Sequence, residues 1–256
     1  MTDLTQSTTL LDYDNPAIQA LIHNRGWRHL NAHDRIGAAY DFVRNDIAFG
    51  YQAADAIPAS QVLADGYGQC NTKGILLMAL LRALDIPCRM RGLTIAKSLQ
   101  RGVVPELVYH LAPGEILHSW VELNHQERWI TLEGFILDRP FLGALQSRFS
   151  GGGLCAYGVG TDCLQSPPVD WTGADTFIQK TGVVQDFGTF ETPDALFSIH
   201  GQTFGPLRRF LYAHVVRHWM NARVGAIRAG RIPGIPGGPD GAPTPAQSVK
   251  GRSDAA

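Results

Sequence analysis

A cysteine at the start of a long apolar segment constrains this chain most. Cys70 ends the segment DGYGQC (65–70) and precedes the apolar segment GILLMALLRAL (74–84). We expect the two glycines to form a turn that brings the chain tightly into a helix starting at Cys70. The first NH groups of a helix lack partners within it and favour a thiolate. The position therefore suits a nucleophile, although a small buried residue would also fit the pattern.

A base for this thiol is expected in a downstream hairpin. The segments EILHSWVEL (115–123) and RWITLEGF (128–135) alternate apolar with polar residues and are rich in Trp, Ile, Val and Thr. Both are therefore predicted to be strands, and the polar segment between them is short enough for a hairpin turn. His118 lies in the first strand and is the candidate base.

The register of the hairpin selects an acid for the histidine. If His125 and Gln126 form a two-residue turn, His118 lies directly opposite Glu133. Side chains in such a pair have Cβ atoms about 4.5–5.5 Å apart, close enough for a carboxylate to orient an imidazole toward a thiol. A slip of one residue would put the two on opposite faces of the sheet, so Asp138 is kept as the reserve acid.

These segments together resemble the transglutaminase-like superfamily. The shared features are GQC (68–70), a helix ending in LLRALDIPCR (80–89), HSWVE (118–122) and WITLE (129–133), in the order cysteine, histidine, acid. The resemblance covers about residues 35–140. It implies an α+β, papain-like fold in which the cysteine lies on a helix packed against an antiparallel sheet that carries the histidine and the acid.

The resemblance also implies a class of chemistry. A cysteine of this superfamily attacks an amide or ester carbonyl, forms a thioester and passes the acyl group to water or to an amine. Members include transamidating enzymes, peptidases, peptide N-glycanases and proteins that have lost catalysis, so the fold alone does not name the substrate. Two departures stand out: Glu133 replaces the usual Asp, and NTK (71–73) replaces the usual small or acidic residues after the cysteine.

The predicted mechanism uses three side chains. His118, held by Glu133, takes the proton of Cys70, and the thiolate attacks an acyl carbon. The backbone NH of Cys70 is one expected oxyanion donor. Three other side chains are candidates for the second oxyanion donor or for contact with the substrate: Gln69, Tyr51 and Trp120.

Two alternative functions remain open. One is a non-catalytic binding or scaffold module, and the other is another papain-like thiol enzyme such as an arylamine acetyltransferase or a peptidase.

Composition and the first residues indicate which partners and which cellular compartment to expect. The chain has 256 residues and a net charge of −1, which gives no reason to expect nucleic acid or a membrane as partner. We expect a protein, peptide or small-molecule amide as substrate and no cofactor. The first residues lack the features of a secretory signal, which predicts a cytoplasmic protein with reduced thiols. Whether Cys155 and Cys163 pair is left open by the sequence.

We expect one domain over residues 1–232. Its core is predicted at about 35–140, a loop-rich insertion or lid at about 141–200 and a C-terminal helix at about 206–228. The Gly- and Pro-rich tail, 233–256, is predicted to be disordered.

The C-terminal helix carries two histidines. His214 and His218 have the spacing that puts two ligands on one helical face, but no third ligand lies nearby. We therefore expect no metal site and interpret both as part of one broad amphipathic face. The other members of that face are Leu207, Phe210, Leu211, Val215, Trp219 and Val224.

Overall fold

The computed structural model describes residues 3–201 and 205–235. The helices in these ranges are α1 (Pro16–Asn24), α2 (Ala32–Asn45), α3 (Ala59–Asp65), α4 (Cys70–Ala83), α5 (Glu106–Leu111), α6 (Arg139–Arg148), α7 (Pro193–Ile199), α8 (Pro206–Leu211) and α9 (Arg217–Arg228). The strands are β1 (Ala48–Phe49), β2 (Tyr67–Gly68), β3 (Cys88–Ala96), β4 (Glu115–His125), β5 (Arg128–Leu132), β6 (Leu154–Ala156), β7 (Val159–Thr161) and β8 (Val183–Phe190).

The main sheet has four strands in the order β5-β4-β3-β8, and each neighbouring pair is antiparallel. Two smaller pairs are separate from it, the parallel pair β1-β2 and the antiparallel pair β6-β7. Helix α4 packs against β3 and β4. The predicted α+β arrangement, with the cysteine helix on an antiparallel sheet, is confirmed.

Helix α4 lies at the centre of the core. All of its residues from Asn71 to Ala83 are buried. A helix that is apolar around its circumference has to be covered on every side, and here α2, α3, β3 and β4 cover it. Because the helix is held on every side, the position of its first residue, Cys70, is fixed relative to the core.

The turn before α4 forms as the glycines predict. Gly66 ends α3 with a φ of 71°, a left-handed conformation that glycine adopts without strain. At Gly68 a Cβ atom would lie 2.6 Å from Oγ1 of Thr72, so a side chain there would clash with the first turn of α4. The predicted helix start at Cys70 is confirmed.

The hairpin forms, but its predicted register is wrong. The turn residues are Gln126 and Glu127, with φ values of 52° and 63°, and His125 pairs with Arg128. Strand β4 therefore extends one residue further than predicted, and the pairing shifts by two residues. Continued past the end of β5, this register puts Glu133 opposite Trp120 rather than opposite His118. A shift of two keeps the same face, so Glu133 stays on the side of His118.

The region expected to be a loop-rich insertion contributes to the central fold. Strand β8 pairs with β3 as an edge of the main sheet. Residue Thr176 bridges Leu132 at the end of β5. The sequence showed neither contact, because both join segments more than 40 residues apart. The predicted disordered tail lies outside the described residues from position 236 onward.

The C-terminal helix runs close to its predicted bounds, as α8, a π-helical turn over Tyr212–Val216, and α9. Its predicted apolar face divides into two parts. Its predicted member Val224 is buried, together with Met220 and Ile227, which the prediction did not include, and α9 packs against α6. The predicted members Leu207, Phe210, Leu211, Val215 and Trp219 are exposed, so burial of the predicted face over the first half of the helix is not observed.

All four thiols are free, including Cys155 and Cys163. Cys88 is fully buried at the start of β3. None of the helices in the described ranges is long and apolar enough to cross a membrane.

Candidate active site

Cys70 lies at the first position of α4 and is partly exposed. Its Sγ atom donates a long hydrogen bond of 3.7 Å to Oδ1 of Asn71, the next residue in the helix. Cys70 lies at the N-terminal end of this helix, where the partial positive charge of the helix dipole favours negative charge on the sulfur. The structure thus places a reachable thiol where developing negative charge is stabilised.

His118 lies beside this thiol on β4 and is fully buried. Its Nε2 atom is 2.8 Å from Oε1 of Glu133, and its Nδ1 atom has no hydrogen-bond partner among the described residues. Burial opposes a charged imidazole. The nearby Cys70, followed by the hydrogen bond and charge of Glu133, outweighs burial and raises the pKa of His118 to about 10. The ring is thereby suited to be the cation of a thiolate–imidazolium pair.

Glu133 is held on both of its oxygens. While Oε1 bonds His118, Oε2 accepts from the backbone NH groups of Ile178, at 2.9 Å, and of Gln179, at 3.0 Å. The hydroxyl of Thr176 accepts from the backbone NH of Glu133 at 3.2 Å. The carboxyl group is fully buried, so these donors replace water. Glu133 is therefore fixed toward the imidazole by a segment 43–46 residues further along the chain.

Asp138, the reserve acid, lies in a different set of contacts. Its carboxylate caps α6 by accepting from the NH of Phe141 at 3.0 Å, and it accepts from the NH of Phe49 at 2.8 Å. It also pairs with Arg228 at 2.6 Å. Burial alone would raise its pKa, but Arg228 and these NH groups lower it. The structure brings Glu133, and not Asp138, to His118.

The three candidates for oxyanion or substrate contact are already engaged or buried. The side-chain amide of Gln69 donates to Asp55 at 3.2 Å and its carbonyl accepts from the NH of Gln52 at 3.0 Å. The hydroxyl of Tyr51 donates to the side-chain oxygen of Gln100. Trp120 packs edge-on against His118 with ring centroids 6.4 Å apart, and its Nε1 atom is buried with no partner in the described ranges. In this structure none of the three offers an exposed free donor.

Asn71 connects the cysteine helix to the histidine strand. Its Nδ2 atom donates to the backbone carbonyl of Leu117 at 3.3 Å, and its Oδ1 atom accepts from the hydroxyl of Ser119 at 2.8 Å. These are the two residues that flank His118 in β4. The amide also donates to Asp55 at 2.9 Å. Asn71 thus fixes the histidine relative to Cys70, and its burial keeps it away from substrate.

The other two unusual residues after the cysteine also have structural contacts. The hydroxyl of Thr72 accepts from the NH of Gln69 at 3.1 Å and so caps α4. Lys73 is fully buried, and its amine donates to the backbone carbonyls of Arg44, Ile47 and Ile136 at 3.2, 2.8 and 3.0 Å. Burial lowers the pKa of Lys73 to about 7. The segment 71–73 therefore holds the start of α4 in place through buried hydrogen bonds.

Sequence reasoning missed several of the residues that organise the site. They are Asp55, Asn71, Ser119 and Thr176, with the backbone of Ile178 and Gln179. Only Asn71 carried a signal, because it is a polar residue adjacent to Cys70. In the described ranges no group of three or more His, Cys, Asp or Glu side chains is placed to hold a metal ion.

Part of the chain is similar to a known protein family. Residues 20–134 match the sequence model of the transglutaminase-like superfamily, and this range contains Cys70, His118 and Glu133. No curated protein matches the chain. A crystal structure described as a proposed cysteine protease from Cytophaga hutchinsonii is similar over 75% of this chain, with a TM-score of 0.44 and 14% sequence identity. The match covers 47% of that structure's chain, so this chain spans about half of its length.

Proposed function

Because residues 20–134 match the model of the transglutaminase-like superfamily, we propose that this chain is a thiol enzyme that transfers or hydrolyses an acyl group through Cys70. The observation that carries the proposal is the buried imidazole of His118. One of its nitrogens bonds Glu133, and the other is left without a partner among the described residues beside the thiol. A base oriented by an acid and facing a nucleophile is the arrangement that activates a thiol for attack on a carbonyl.

The reaction begins with proton transfer from Cys70 to Nδ1 of His118. The thiolate then attacks the carbonyl carbon of an amide, forming a C–S bond and moving the carbonyl electron pair onto oxygen. The backbone NH of Cys70, at the first position of α4, would stabilise that oxyanion. The imidazolium donates its proton to the departing amine as the C–N bond breaks, which leaves a thioester on Cys70.

The second half of the reaction reverses these roles. His118 removes a proton from water or from an amine as that group attacks the thioester. The sulfur leaves as a thiolate, and the acyl group departs as an acid or as a new amide. Glu133 holds the ring in one orientation through both steps, since Ile178 and Gln179 fix its second oxygen.

Trapping the acyl-enzyme tests the proposal. The protein is mixed with p-nitrophenyl acetate, quenched in acid and digested, and the modified peptide is identified by mass spectrometry. We expect acetyl on Cys70 in the wild type and none on that peptide in Cys70→Ala. Cys163→Ser, which removes an exposed thiol, is the matched control and should acylate normally. Absence of acylation, or acylation of Cys163 in place of Cys70, would contradict the proposal.

The fate of the thioester separates the two reaction types. In water alone the trapped acetyl group leaves as acetate. Adding a primary amine at increasing concentration should divert it into an amide if the protein is a transferase, and should leave the acetate yield unchanged if it is a hydrolase.

A further inference from the structure

The first half of the C-terminal helix presents an apolar stripe to solvent. The exposed side chains are Leu207 (71%), Phe210 (59%), Leu211 (45%), Val215 (53%) and Trp219 (48%). Four of them recur at every fourth position, which aligns them along one side of the helix. On the inner side, Tyr212 and Val216 pack against the core. The stripe is therefore the outer surface of a helix that is anchored to the domain.

The charge around this stripe has one sign. Between Asp194 and Asp240 the sequence has no acidic residue and six arginines, at positions 208, 209, 217, 223, 228 and 231. Arg208 and Arg209 are exposed within α8. By contrast, Arg228 is paired with Asp138 at 2.6 Å. A protein of net charge −1 thus carries a locally cationic and apolar face.

We propose that this outer face of residues 206–219 docks on an anionic lipid bilayer. Large apolar residues including Trp and Phe, joined by arginines and free of acids, are the features that place a helix in the interface of such a membrane. The proposal departs from the expectation of no membrane partner. That expectation rested on the net charge of the whole chain, which does not reveal a local cluster of arginines.

The same features disfavour other occupants. Two copies of this face would bring Arg208 and Arg209 of each copy close together, and like charges repel. An acidic peptide would have to supply its own apolar groove, since the stripe lies on the outer side of a single helix. A bilayer satisfies both the apolar and the cationic residues without such a groove.

Docking here would bring the candidate active site close to the membrane. Arg217 of this helix donates to the hydroxyl of Tyr67, three residues before Cys70, at 3.3 Å. Burial, together with Asp55 and Cys70, raises the pKa of Tyr212 on the same helix. Membrane binding itself requires no chemistry at Cys70.

Co-sedimentation with vesicles tests the proposal. We expect the wild type to pellet with vesicles of phosphatidylglycerol and phosphatidylcholine, less with phosphatidylcholine alone, and less at high salt. Val215→Asp should weaken binding to the anionic vesicles about tenfold or more, since it buries a charge in place of a valine. The matched control is Val184→Asp, which alters a valine that is 46% exposed on β8 and should bind like the wild type.

Each other outcome overturns the proposal. These outcomes are no pelleting with anionic vesicles, equal loss in Val184→Asp, or a dimer in light scattering that Val215→Asp abolishes. Binding of an acidic helical peptide without binding of vesicles would also overturn it. Cys70→Ala should bind vesicles normally, so a failure of docking and a failure of the proposed chemistry are separately observable. Circular dichroism of each variant verifies that it has folded.

Discussion

The Nε2 atom of His118 lies 2.8 Å from Oε1 of Glu133, and both side chains are fully buried. The two are not directly opposite in the hairpin. The pairing of Val121 with Leu132 puts the next residue, Glu133, level with Trp120, so the acid reaches the histidine along a diagonal. Diagonal neighbours have Cβ atoms up to about 7–8 Å apart, a span that suits long side chains. The glutamate at this position therefore follows from the geometry of the hairpin.

Glu133→Asp should impair the reaction by shortening the acid. An aspartate at this position loses one methylene and cannot bond His118 while also accepting from Ile178 and Gln179. We expect a loss of about 10²-fold in the rate of Cys70 acylation, the order of effect that a displacement of about 1 Å causes in an active site. Stopped-flow release of p-nitrophenol measures it.

Asp138→Asn is the matched control for that variant. It removes the pair with Arg228 and weakens a helix cap, so it should lower the free energy of unfolding by about 1–3 kcal/mol. Its acylation rate should stay near that of the wild type. An Asp138→Asn protein that is slower than Glu133→Asp would show that the acid has been misassigned.

The raised pKa of His118 predicts a pH dependence of stability. Its pKa is about 10 in the folded protein against an ordinary value of 6.5. A group whose pKa is raised on folding stabilises the protein fully below the unfolded value and loses this contribution as pH rises through the folded value. Glu133→Gln removes one source of the shift. Urea unfolding from pH 6 to pH 10 should therefore show the wild type's advantage over Glu133→Gln shrinking as pH rises. A difference that is constant or grows with pH would contradict this.

Asn71→Ala should slow acylation without preventing folding. The substitution removes the bonds to Leu117 and Ser119 that hold β4 on either side of His118. We expect a loss of about 10- to 100-fold in kcat with little change in KM, because the side chain is buried and away from substrate. Asn15→Ala removes the cap of α1 and should cost about 1 kcal/mol in stability while leaving the rate unchanged. Equal acylation rates for the two variants would show that Asn71 does not position His118.

Lys73→Met should act on stability. It leaves the carbonyls of Arg44, Ile47 and Ile136 without their donor, which should lower the free energy of unfolding by about 3 kcal/mol in urea denaturation. Lys180 is exposed, so Lys180→Met should change stability by no more than about 0.5 kcal/mol. If Lys73→Met proved as stable as Lys180→Met, the three contacts would carry no net stability.

The parts of the site encoded by local sequence were predictable. Two glycines and an apolar segment predict a helix that begins at Cys70, and alternation predicts the strand that carries His118. The register was predicted wrongly because Gln126 and Glu127 adopt left-handed conformations that neither residue type favours. Strand β4 consequently extends through His125.

The contacts that organise the site could not be read from the sequence. Asp55 lies 16 residues from Asn71, and Ile178 lies 45 residues from Glu133. No periodicity marks a backbone NH as a donor to a distant carboxylate. The same limit applies to β8, whose place beside β3 depends on the tertiary fold.

Competitive alkylation of the four thiols tests the central claim most directly. The wild type and His118→Ala are treated with iodoacetamide near neutral pH, and labelling of each cysteine is followed over time by mass spectrometry. We predict that Cys70 reacts first in the wild type, ahead even of the exposed Cys163, and that His118→Ala removes this advantage. Slow and equal labelling of Cys70 and the other thiols in the wild type, unchanged by His118→Ala, would contradict the assignment of Cys70 as the nucleophile.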